Sequence, residues 1–97
     1  MIPYSPKMLR KELTIVNKLG LHARPAAMFV KVSSAHDAEI TVEKDDEQVN
    51  GKSIMGLMML AAGCGARITV ITEGKDEVAA MEQIEALVNG GFTEGAR

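Results

Sequence analysis

The sequence is poor in aromatic residues and cysteine and has no long apolar run. Only Tyr4, Phe29 and Phe92 are aromatic, so no set of stacking platforms exists for single-stranded nucleic acid. Eleven basic residues are scattered among 13 acidic ones for a formal charge of -2, and no basic block is present to neutralise a phosphate backbone. Nucleic acid is therefore excluded as a partner class. Cys64 is the one cysteine. It can close no intramolecular disulfide, and a lone thiol in a small domain points to a reducing compartment, the cytoplasm. Met1 to Leu9 contains Pro3 and Pro6 but no apolar core of signal-peptide length, and no later stretch approaches a membrane span. Membrane insertion is not expected. Metal and other cofactors are not expected either, because His36-Asp37 stands alone and one cysteine cannot build a zinc site.

What is present suits one soluble domain. The 97 residues are 46% hydrophobic and 25% charged, enough for a single core and far from the composition of a disordered chain. Residues 1–9 read as a flexible leader, 10–92 as the domain and 93–97 as a flexible tail, with the chain from Phe92 onward loosely held.

Periodicity supplies the elements. Leu13 and Ile15 alternate with Glu12, Thr14 and Val16, which predicts a strand over Lys11 to Asn17. Lys18-Leu19-Gly20 breaks it. Pro25 then opens a helix to about Ser34 with Ala26, Phe29, Val30 and Ser33 on one face. Ala38 to Lys44 alternates as a half-solvated strand, Asp45-Asp46 turns the chain, and Glu47 to Gly51 pairs back weakly around Val49. The apolar run Ile54 to Leu60 fits strand or helix; Ser53 before it is a good N-cap, which favours a short helix ended by Gly63 and Gly65. Arg67 to Thr72 alternates again. Asp76 is placed to cap a last helix over Glu77 to Asn89, where Val78, Met81, Ile84, Leu87 and Val88 recur at helical spacing before Asn89-Gly90-Gly91 stops it. The order strand, helix, strand, strand, helix, strand, helix is α+β, with helices on one face of a mainly antiparallel sheet.

The sharpest local feature is Gly20-Leu21-His22-Ala23-Arg24-Pro25. Proline is tolerated only in the first turn of a helix, so His22 lies at a helix entrance, with the cap at His22, Ala23 or Arg24. Unpaired amides there, from Ala23, Arg24 and Ala26, form an anion site that favours a phosphoryl dianion by about 0.3–1 kcal/mol. Arg24 adds a charge-assisted bond. A neutral imidazole there has the ring lone pair that attack on phosphorus requires. A plainer reading leaves His22 as a polar cap residue, and His36 as a turn residue without a catalytic part.

Asn50-Gly51-Lys52-Ser53-Ile54-Met55-Gly56 also has two readings. Ser53 caps a helix in both. Ile54, Met55, Met58 and Met59 either fill the core or form an adaptable docking patch, as flexible thioethers can. The Gly51-Lys52-Ser53 tripeptide is too little for a phosphate-binding nucleotide loop.

The segment Gly20 to Ala26 resembles the active-site motif of HPr, the histidine-containing phosphocarrier of the bacterial phosphoenolpyruvate-dependent phosphotransferase system, and the likeness spans roughly Leu9 to Phe92. It implies an open-faced two-layer sandwich, βαββαβα, with sheet order 1-4-2-3 and three helices on one face. It also implies phosphorylation of His22 on Nδ1, with Arg24 stabilising the phosphate. The implied partners are an enzyme I-type donor and enzyme IIA-type acceptors, met by a monomer whose docking face comprises Leu21, Ala27, Ile54, Met55, Met58 and Met59. Such a chain is a transfer intermediate, not a free-standing catalyst. The Ser53 segment resembles the regulatory site recognised by HPr kinase/phosphorylase. Leu57 to Ala62 and Asn89 to Phe92 look more like NPr, the nitrogen-related paralogue, which signals without moving sugar.

Overall fold

The computed structural model describes residues 8–93 of the chain. β1 (Met8–Thr14) pairs antiparallel with β4 (Arg67–Glu73), β4 with β2 (Glu39–Lys44), and β2 with β3 (Glu47–Asn50). The sheet order is β1-β4-β2-β3. Between the strands run α1 (Ala23–Ser34), α2 (Ile54–Met59) and, after β4, α3 (Glu77–Asn89), followed by a 3-10 turn at Gly91–Thr93.

Register explains which face is covered. Leu13 stands opposite Ile68, and Val70 opposite both Lys11 and Val42, so alternate residues of the three strands share one side. Leu13, Ile40, Val42, Ile68 and Val70 are buried there with Phe29 of α1, Leu57 of α2 and Ile84 and Val88 of α3. All three helices thus lie on one face. The other is open and polar: Arg10 reaches across β4 to Glu43 at 3.4 Å, and Ile71, between Arg10 and Thr41, is the buried apolar residue of that face.

Several boundaries differ from the sequence reading, each for a local reason. β1 starts at Met8, so two residues of the expected leader pair with β4, and residues 1–7 lie outside the described residues. The strand ends at Thr14 because Asn17 begins the turn, its carbonyl accepting from Gly20 N at 3.1 Å. α1 opens at Ala23, two residues before Pro25, with His22 as the N-cap. α2 stops at Met59 through Ala61 at φ +52, the left-handed residue that usually ends a helix, well before Gly63 and Gly65. Glycine would ordinarily fill that place, since a Cβ costs about 1–2 kcal/mol there.

Phe92 departs most from expectation. It is 1% exposed and part of the core. Gly91 at φ +68 folds the chain back after α3, and Phe92 follows at φ +57, which seats the ring under the helix for about 1.5–3 kcal/mol of apolar burial. The tail expected at 93–97 falls beyond the described residues except for Thr93.

Asp76 occupies the N-cap position of α3 without capping it. Its carboxylate instead accepts from the amides of Asp37 (3.0 Å) and Ala38 (2.8 Å) and faces His36 Nδ1 at 3.2 Å. Glu77 takes over at the helix entrance, accepting from Gly74 N at 2.9 Å. Burial works against ionisation of Asp76, but the two amides and His36 outweigh it and hold its carboxyl below the usual carboxylate range. His36 is therefore a structural tie between α1, β2 and α3, its Nε2 reaching Gln83 Oε1 at 3.3 Å.

Candidate functional site

The loop from Asn17 to His22 is shaped by one glycine. Gly20 has φ +69, and a Cβ there would stand 2.3 Å from the carbonyl oxygen of Ala62. Only glycine fits. The next residue locks the two loops together, Leu21 N donating to Ala62 O at 2.9 Å. This sends Leu21 into the core at 4% exposure, and the neighbouring Leu19 outward at 69%. Leu21 was expected on the docking face; it is a core residue, and Leu19 occupies the exposed place.

His22 is half-buried, with extended backbone at φ -82 and ψ -170, and its ring makes no cap bond to the helix. Nδ1 lies 3.1 Å from the Gly20 carbonyl oxygen instead. The helix behind it begins with Ala23 and Arg24, both exposed. Their amides have no acceptor inside the helix, and Pro25 has no amide to offer. Ala26 does not belong with them: its N–H donates to His22 O at 3.0 Å. The expected trio of anion-binding amides is thus a pair. Ala27 is exposed one turn along from Ala23.

α2 supplies the rest of this surface. Ser53 Oγ accepts from Gly56 N at 3.0 Å, the N-cap expected from the sequence. Leu57 and Leu60 point into the core. The other four apolar side chains point out, with Ile54 at 40% exposure, Met55 at 71%, Met58 at 41% and Met59 at 72%. Of the two sequence readings, core filling therefore fails. Met58 shares with Leu19, Leu21, His22, Ala61, Ala62 and Gly63 a shallow hollow of about 270 Å³. Ser53 lies at the far end of α2, about 8 Å along the axis from Met58. A larger hollow of about 440 Å³ lies over β2 and β3, lined by Glu39 to Thr41, Gln48 to Asn50 and Lys52. Its lining contains no histidine, cysteine or serine.

Two residues of this region went unread in the sequence. Leu19 was taken as part of a strand break, and no signal in the turn marks it as the outward leucine. Asn17 was taken as the end of a strand. It is 1% exposed, and its Nδ2 donates to the Gly20 carbonyl at 2.9 Å.

A histidine at a helix entrance, two first-turn amides without an intrahelical acceptor, an adjacent arginine and an exposed apolar helix on an open-faced sandwich describe a small carrier of phosphoryl groups. Residues 9–90 match the family model PTS-HPr, described as the PTS HPr component phosphorylation site. The phosphocarrier protein HPr of Neisseria meningitidis serogroup A is 51% identical over 88 residues, covering 91% of this chain and 99% of the relative. The phosphocarrier protein NPr of Shewanella violacea is 42% identical over 88 residues, covering 91% and 97%. Among solved structures, an HPr of Thermoanaerobacter tengcongensis superposes with TM-score 0.86 at 43% identity, over 89% of this chain and 97% of that one. The chain belongs to the HPr family of phosphocarriers of the phosphotransferase system. No helix among the described residues is long and apolar enough to cross a membrane.

Proposed function

We propose that His22 is the phosphoryl acceptor of this carrier, charged by the phosphohistidine of an enzyme I-type protein that is itself phosphorylated from phosphoenolpyruvate. The observation that carries the reading is the α1 entrance, where the cap position is held by a histidine whose ring makes no cap bond, so that the first-turn amides of Ala23 and Arg24 are left without an acceptor from their own helix or its cap. The N–P bond to the donor ring breaks as the N–P bond to His22 forms, and a proton passes from His22 to the donor side or solvent. The two amides and the Arg24 guanidinium hold the phosphoryl oxygens, and positioning and electrostatics do the work. An enzyme IIA-type protein takes the group in the reverse sense. Leu19, Ile54, Met55, Met58, Met59 and Ala27 form the face on which both partners dock.

Ser53 is a second, regulatory acceptor, modified by an HPr kinase/phosphorylase. Phosphate at this position keeps the bond to Gly56 N, so α2 stays folded, while about two negative charges appear at the edge of an apolar docking face. The block comes from charge. A nitrogen-type role, in which phosphorylation state signals without sugar uptake, is favoured by the likeness to NPr and shares the His22 chemistry.

Incubation with enzyme I and phosphoenolpyruvate tests the reading. Acid-labile phosphate should appear on the wild type and be absent from His22→Ala. Label on both, or on neither, sinks it. Acid-stable label from the seryl kinase should vanish in Ser53→Ala, and a Ser53→Asp variant that accepts phosphate as fast as wild type would end the charge-blocking idea.

A further inference from the structure

The turn that ends α2 places its small residues against the usual rule. Ala61 has φ +52, the left-handed conformation in which a Cβ crowds the backbone and which glycine ordinarily fills. Gly63, two residues on, has no such need. Its φ lies outside the left-handed range, and a Cβ built on it would meet nothing within 4 Å. Gly65 shows the contrast, since its φ of +91 does call for glycine. An alanine thus stands where the backbone favours glycine, and a glycine where the fold would accept alanine.

Burial accounts for neither choice, because Ala61 and Gly63 are both exposed. Between them Ala62 makes the contact that joins this turn to the loop before α1, its carbonyl accepting from Leu21 N at 2.9 Å. What Ala61 and Gly63 share is the hollow of about 270 Å³, which they line together with His22 and Met58. Backbone strain persists where the surroundings or a function require it, and here the methyl that causes the strain borders the hollow. The structure assigns Ala61 and Gly63 to recognition of the enzyme I-type protein: the Ala61 methyl is a contact in the hollow, and the bare Cα of Gly63 leaves room for a group of that partner to approach His22. The inference deepens the carrier reading and rests on it.

Two single substitutions in the full chain invert the pattern. Ala61→Gly removes both the strain and the methyl. It should raise the melting temperature by about 4 °C and raise the KM for enzyme I about fourfold, the worth of one buried methyl. Gly63→Ala adds a Cβ in open space and restricts the unfolded chain, so it should melt no more than about 2 °C below wild type. Its KM should rise about fivefold or more, because the methyl fills space the partner needs. With His22 and Arg24 unchanged, kcat should stay within about twofold in both. A purely structural role would move the melting temperature and leave KM alone. The proposal is overturned by an unchanged KM in either variant, by an Ala61→Gly chain that melts no higher than wild type, or by a Gly63→Ala chain that melts below the stated limit. Wild type that takes no phosphate from enzyme I ends the carrier reading and this inference with it. Wild type that is phosphorylated, with the same KM in the variants, ends this inference alone.

Discussion

The entrances of α1 and α2 are built from the same parts and used in opposite ways. At α2 the cap side chain bonds the helix, Ser53 Oγ accepting from Gly56 N at 3.0 Å. At α1 the cap side chain turns back toward the preceding loop, and His22 Nδ1 lies 3.1 Å from Gly20 O. A cap bonded to its own helix contributes stability. One turned away leaves amides for a ligand, and α1 can bear that because Pro25, Ala26, Phe29 and Ser33 anchor it from the buried side. The difference teaches that the residue at a cap does not reveal its use; the direction of its side chain does.

The comparison breaks most visibly at His22. His22→Ala should abolish phosphoryl acceptance from enzyme I, a loss beyond about a thousandfold, because no other nucleophile stands at the α1 amides. Its unfolding free energy in urea should stay within about 0.5 kcal/mol of wild type, the usual range for a surface change that breaks no cap. A larger loss of stability would mean that His22 caps α1 after all. Arg24→Ala comes next. Arg24 is an exposed residue of the first turn of α1, so the loss should be roughly 10- to 100-fold in the transfer rate, as for one charge-assisted hydrogen bond. Lysine at this position should recover part of it.

At the α2 entrance the expected effect has the other character. Ser53→Ala removes the bond to Gly56 N and should cost about 1 kcal/mol of stability. Phosphoryl acceptance should change less than about twofold, since such surface effects on docking are small without added charge. Chemical denaturation and a rate measurement on the same sample check both. If the alanine variant lost transfer as Arg24→Ala does, the division of labour between the two entrances would fall.

How far the sequence revealed this arrangement follows from the same distinction. Strands and helices were legible because Leu13, Ile15, Ile40, Val42, Ile68 and Val70 alternate and Phe29, Ile84 and Val88 recur at helical spacing, and all of them are buried. The sheet order came only with the family resemblance. In the candidate site, the places of His22 and Ser53 at helix starts were legible through proline and serine, while the roles expected of His22, Arg24 and Ser53 were settled on only with the family resemblance. Loop side chains have no period, so nothing in Lys18-Leu19-Gly20-Leu21 told which leucine faces out. Asn17 and Phe92 were misread for a related reason: each lies beside a left-handed turn, at Gly20 or Gly91, and such a turn leaves no periodic pattern in the sequence. Ala26 was miscounted as a free amide because its acceptor depends on whether the helix starts at His22 or at Arg24.

Asp76 extends the comparison to a third entrance, with the smallest effect expected. Like His22 it holds an N-cap position without capping, but its carboxylate is committed to the amides of Asp37 and Ala38 and to His36. These partners favour the ionised form and lower its folded value from the ordinary 3.8. A lowered folded value means that the folded state releases this proton more readily than the unfolded chain does. The stabilisation is therefore complete above the ordinary value and is lost as pH falls below it through the folded value. Asp76→Asn removes the charge at every pH. The stability gap between wild type and Asp76→Asn in urea should be constant from neutral pH down to about pH 5 and close in more acid solution. A gap that persisted at pH 2 would show that Asp76 acts through shape and not through charge, and the third entrance would then belong with Ser53, as a fixed structural bond.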